Sequence, residues 1–206
     1  MKKLLAVLIA VSCLFCIISC DQTQGDTPDI PVSEGGVSFS EFVKAAADTA
    51  SPESSVVTTK LESSYGTLKS VLSIEYAADG SSVIVYNGQR YGSLALGEAY
   101  IVDEDPITVT CDKDGNYSDG GELVGNVVAS GAFALNLVEG KLRDAKIEGS
   151  ILYATVFSAD TAAVLGVNLG ATATIAVAIK DGKIGSVSVS YRDGTDKINV
   201  ECEYGY

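Results

Sequence analysis

Ala171-Thr172-Ala173-Thr174-Ile175-Ala176-Val177-Ala178-Ile179, a Lys180-Asp181-Gly182-Lys183 turn, Ile184 to Tyr191, an Arg192-Asp193-Gly194 turn and Lys197 to Tyr204 decide the fold. Three runs of period two separated by Asp-Gly turns are the pattern of a β-meander. In the last run Ile198, Val200, Cys202 and Tyr204 fall on one side, and Lys197, Asn199, Glu201 and Glu203 on the other. One face is dry and one wet, as an antiparallel sheet over a single core requires. The first run is slim, made mostly of Ala and Thr, and leaves room on its inner face. Two fillers fit that room: a helix of the same chain, or a bound apolar ligand.

Working outward, the same alternation recurs. Leu72, Ile74 and Tyr76 alternate with Val71, Ser73 and Glu75, then Asp79-Gly80 makes a turn. The spacing predicts a strand at Val83–Tyr86, a tight Asn87-Gly88 hairpin turn and a return strand over Gln89–Leu94. Further strands are expected at Pro106–Cys111 and Ala145–Phe157, with Ala132–Val138 readable as helix or strand. Short helices are expected at Glu122–Ser130 and over 158–165, the latter capped by Ser158 and stopped by Gly166. Ahead of all these lies a helix over 39–50. Ser38 and Glu41 have capping-box spacing, and Phe39, Phe42, Val43, Ala46 and Ala50 recur at helical intervals until Ser51-Pro52. The expected class is α+β: a strongly twisted antiparallel sheet, an open half-barrel, curled over the N-terminal helix and one or two short ones.

The amino terminus reads differently. Lys2 and Lys3 precede an apolar run from Leu4 to Ile18. That is the size of a signal-peptide core and less than the ~20 apolar residues that span a bilayer. The run closes on Ile17-Ile18-Ser19-Cys20, which resembles the lipobox of bacterial lipoproteins. The resemblance implies diacylglycerol on the Cys20 thiol, cleavage before it, and a fatty acid on the new amino terminus. A plain cleaved signal and an uncleaved anchor helix are the other readings of the same run. The expected organisation is a signal peptide at 1–19, the lipidated Cys20 with a polar tether to residue 38, and one α+β domain over 39–206. Such a protein is exported and held on a bacterial membrane by its acyl chains, with its domain facing the periplasm or the exterior.

Loss of Lys2 and Lys3 takes the net charge from −13 to −15. A surface of that sign repels nucleic acid and anionic head groups, so no nucleic-acid partner is expected and membrane attachment rests on acyl chains. The chain has no His and no Trp. Without His it lacks the commonest general base, the Ser-His and Cys-His nucleophile pairs and the commonest zinc ligand, and no enzymatic activity is expected. Asp112-Lys113-Asp114-Gly115-Asn116 opens like a calcium loop, but Tyr117 stands where the sharp turn needs Gly and Leu123 where a bidentate Glu is needed. A polar turn is the reading, with no metal and no cofactor beyond the covalent lipid. Cys111 and Cys202 share the inward phase of two strands, either bridged or as two reduced core residues.

The order lipobox, tether, helix, meander with the Ser82–Leu94 hairpin, short helix, the strand–helix–strand of Ile147–Ile179 and a terminal meander is similar to the mycobacterial LppX/LprG lipoproteins. It is more distantly similar to the LolA/LolB lipoprotein carriers. That resemblance implies an open curved sheet enclosing a lipid-binding cavity, and hence a lipid-anchored protein that binds or carries a lipid or an acylated protein. Phe42, Phe133, Ala173, Ile175 and Val177 are the candidate lining. The other expectation is an envelope lipoprotein acting by protein–protein contact, its core filled and no cavity present.

Overall fold

The carboxy-terminal stretch forms the middle of the sheet, not its edge. In the computed structural model, which describes residues 30–48, 52–93, 99–118 and 133–206, strands β9 (Ala173–Lys180), β10 (Lys183–Asp193) and β11 (Asp196–Gly205) run as a meander. β7 (Arg143–Glu148) and β8 (Ile151–Val156) extend it on one side. A second meander comes from the other half of the chain: β1 (Ser54–Ser63), β2 (Gly66–Tyr76), β3 (Ser82–Asn87) and β6 (Ile107–Cys111). The last strand joins the first, because β11 pairs antiparallel with β1 from Ser54↔Gly205 to Glu62↔Lys197. Among the described residues this gives a nine-stranded sheet, β6-β3-β2-β1-β11-β10-β9-β8-β7. It is open, since β6 and β7 end it without meeting.

Registers make the core explicit. Leu152, Val177, Val187, Cys202, Val57 and Leu72 lie opposite one another in one continuous row across six strands, and all six are buried. The next row, Ala154, Ile175, Val189 and Val200, is buried as well. Polar residues take the opposite phase, Ser186, Ser188 and Ser190 on β10 and Glu201 and Glu203 on β11. The pleat alternation of a one-sided sheet therefore holds over the whole width.

The dry face is covered by short pieces. Helix α1 (Phe39–Ala46) packs against β10 and buries Phe42 and Ala45. At its start the Glu41 carboxylate accepts the Ser38 backbone N–H at 2.9 Å and the Ser38 hydroxyl at 2.8 Å. These two bonds hold the carboxyl of Glu41 below its ordinary pKa. Helix α2 (Thr161–Leu165), entered through a 3-10 turn at Ser158–Asp160, buries Val164 and Leu165 and ends on Gly166 at φ +73°. A Cβ there would also stand 2.8 Å from that of Ala134, so glycine suits both the left-handed cap and the close approach. Ser158 lies inside the first turn, not at the cap.

Several expectations need correction. Asn87-Gly88 is a bend and not a hairpin turn: β3 pairs with β2 and β6, while β4 (Gln89–Ser93) pairs with β5 (Ala99–Asp103) in a separate two-stranded ribbon. A tight hairpin turn of that type needs positive φ at both central residues, and neither Asn87 nor Gly88 has it. The strand expected at 145–157 is two strands, β7 and β8, reversed at Gly149 with φ +60°. Residues 133–138 are neither helix nor strand; their N–H groups at Ala134 and Asn136 bond the carbonyls of Leu165 and Val164. The tether expected over 20–38 already belongs to the domain from residue 30. Ile147 donates to Pro31, Ser33 to Ile147 and Val37 to Gly149 at 2.8–2.9 Å, so the unpaired edge of β7 is occupied by the chain itself. The short helix expected at 122–130 lies outside the described residues.

Candidate functional site

The five residues proposed to line a cavity do converge, but on a packed core. Phe42, Ala173 and Val177 are fully buried and Ile175 nearly so, with Phe133 at 9% exposure, all in one contiguous cluster. Strand β9 shares that cluster with Phe42 of α1, Val164 and Leu165 of α2, and Leu137 and Leu142. Cys20 and the residues around it lie outside the described residues.

Cys111 and Cys202 do not bridge. Three strands stand between β6 and β11, four ladder steps or roughly 19 Å, far beyond disulfide reach. Each thiol has a tyrosine neighbour: Cys202 interacts with Tyr204 and Cys111 with Tyr117. Burial pushes the Cys202 thiol up to about 11, so it stays protonated and unreactive at neutral pH. Alkylation followed by peptide mapping is expected to label Cys111 first in the native protein, and Cys202 only after unfolding, without reductant. An unfolded, unreduced sample in which neither residue reacts would restore the bridge.

The polar groups are largely consumed by turns. Asp112 Oδ1 accepts the N–H groups of Asp114 and Asn116, and both carboxylate oxygens take Asn116 Nδ2. The same bonds lower its pKa. Asp112 thus anchors a polar turn. Among the described residues no group of three His, Cys, Asp or Glu side chains is placed to hold a metal ion. The buried hydroxyl of Ser55 meets the Tyr76 hydroxyl at 3.2 Å, a hydrogen-bonded pair.

Open space is found at the end of the sheet. A groove of about 430 Å³ lies where β9 begins and β10 and β11 run past it, lined by Ala171, Thr172, Ala173, Thr174, Ser190, Tyr191, Arg192 and Lys197. Its walls carry hydroxyls and two cations and no carboxylate. Of the residues singled out in the sequence only Ala173 touches it. Arg192 and Lys197 were missed, although the outward phase of Lys197 was legible in the last strand.

No family model matches this chain, and no curated protein does. Among solved structures it is similar to the dehydratase domain from the CurF module of curacin polyketide synthase, at 8% identity over 79% of this chain and 80% of that one. The TM-score is 0.19, and the likeness carries no argument about fold or activity. Among the described residues no helix is long and apolar enough to cross a membrane.

Proposed function

We propose that this chain is a lipid-anchored envelope protein, not an enzyme, that works by contact with another macromolecule and not by carrying a ligand inside its sheet. One observation favours contact over carriage. Phe42, Phe133, Ala173, Ile175 and Val177, the residues a carrier would leave around its cargo, belong to one contiguous buried cluster, and only Ala173 of them borders the open groove. The anchor itself rests on the Ile17–Cys20 lipobox and its apolar run. An open antiparallel sheet with short helices is compatible with either reading.

Lipid mass spectrometry of the protein purified from its native membrane separates the two. Contact predicts acyl chains on Cys20 and no other lipid retained. A stoichiometric extractable lipid, still bound after vesicle incubation by the domain made without residues 1–20, would replace contact with carriage. The Cys20→Ala variant tests the anchor: it is expected to incorporate no labelled fatty acid, and lipidation of it would place the acylation site elsewhere.

A further inference from the structure

The wet face of the sheet is electrically uneven. Arg192 lies directly opposite Lys197, and Lys60 directly opposite Lys69. Asn199 pairs with both Lys60 and Ser190, and Ser190 with Thr174. Thr174, Ser190, Asn199, Lys60 and Lys69 therefore form one row, and Arg192, Lys197 and Glu62 the row beside it. Neighbouring strands stand about 4.8 Å apart, so the four cations follow a diagonal across β10, β11, β1 and β2 over roughly 14 Å. Lys60, Lys69 and Arg192 are exposed and Lys197 is half-buried. The acid in these rows, Glu62, sits 3.9 Å from Lys197 and accepts Asn199 Nδ2 at 3.4 Å. At the opposite end the same face carries Glu201, Glu203 and Glu75.

Like charges directly opposite each other on neighbouring strands are destabilising. This chain has 27 acidic residues against 14 basic ones, yet it sets two such cationic pairs side by side. Glu62 offsets part of the charge at Lys197, and a counter-anion that bridges the other three cations would remove the rest of the repulsion. The groove opens at one end of the strip, with Arg192 and Lys197 in its wall beside the hydroxyls of Thr172, Thr174 and Ser190.

We propose that this strip binds an acidic polysaccharide, its carboxylates against the cations and its hydroxyls against Thr174, Ser190 and Asn199. Two other polyanions fit less well. Single-stranded nucleic acid is held by successive aromatic rings that stack on bases; neither row contains one, and the groove offers the single ring of Tyr191, half-buried in the inward phase. An anionic bilayer would meet Glu201, Glu203 and Glu75 on the same face. The proposal deepens the contact reading and rests on it for its setting.

The test uses the full chain in detergent, with polygalacturonate as probe and dextran as neutral control. Retention on polygalacturonate is expected at low salt, declining as salt screens the pairs, with none on dextran. Lys60→Gln/Lys69→Gln and Arg192→Gln/Lys197→Gln should each weaken it about tenfold, equivalent to ~1.4 kcal/mol. Lys60→Arg/Lys69→Arg should retain it, as should Lys180→Gln/Lys183→Gln, where a cation pair borders a different turn. Melting temperatures in the Gln variants that equal or exceed the parent's, as relief of the repulsion implies, would show the loss to be one of binding. No binding by the parent chain, or equal loss in the Lys180/Lys183 control, would overturn the proposal. So would tighter binding to an oligothymidylate or to phosphatidylglycerol vesicles. Lipid occupancy measured on the same preparation tells a failed strip from a failed contact reading.

Discussion

Phe42→Ala is expected to cost about 3–5 kcal/mol of stability, the range for truncating a buried aromatic ring. In a domain of this size that lowers the melting temperature by roughly 10 °C. The ring is fully buried, and the helix that carries it covers part of the dry face through Phe42 and Ala45, with Phe39 and Ala46 packed at the rim. Val43, one position on and 38% exposed, is the control: Val43→Ala should change stability by ~0.5 kcal/mol or less. Thermal unfolding of the two variants decides the matter. A Phe42→Ala protein that melts with the parent would mean that α1 does not contribute to the core.

Thr161→Val should cost about 2 kcal/mol although it preserves shape. The Thr161 side chain is fully buried; its hydroxyl donates to the Ser158 carbonyl at 3.0 Å and accepts the Leu169 N–H at 3.2 Å. Valine leaves both groups unpaired. Ser158 is exposed and can turn to water, whereas Leu169 is half-buried, so most of the cost falls on its N–H. Denaturant unfolding should show an earlier midpoint with an unchanged slope. Thr161→Ser, which keeps the hydroxyl, should recover more than half of the loss. If serine and valine cost the same, the methyl and not the hydroxyl holds the loop.

Much of the sheet was legible because alternation is a local property. Ile198, Val200, Cys202 and Tyr204 announce their face within seven residues, and Asp181-Gly182 marks its turn with positive φ at both positions. What failed was punctuation. Asn87-Gly88 has the composition of a hairpin turn, but the partners that decide the matter, β6 and β5, come later in the chain. The reversal at Gly149 hides among apolar residues. Its trace is a change of parity: the buried residues run from Ile147 to Leu152, Ala154 and Val156, a step of five that no single strand can make. The cationic strip could not be read at all. Lys60 and Lys69 meet Arg192 and Lys197 only through the β1–β11 register, a pairing between the two ends of the domain.

That the first described residues lie along β7 bears on how the molecule responds to being pulled. A load entering from the amino terminus meets Ile30, packed on the rim of the core, and the bonds of Pro31, Ser33 and Val37 to Ile147 and Gly149 before it meets α1. The Val32–Ile147 bridge is parallel, and the segment is a thin strap on an edge, bound by few groups. It yields first, and residues 30–37 then release at most roughly 25–30 Å of contour. Under such a load the strap is expected to give up its slack before the nine-stranded sheet bears tension.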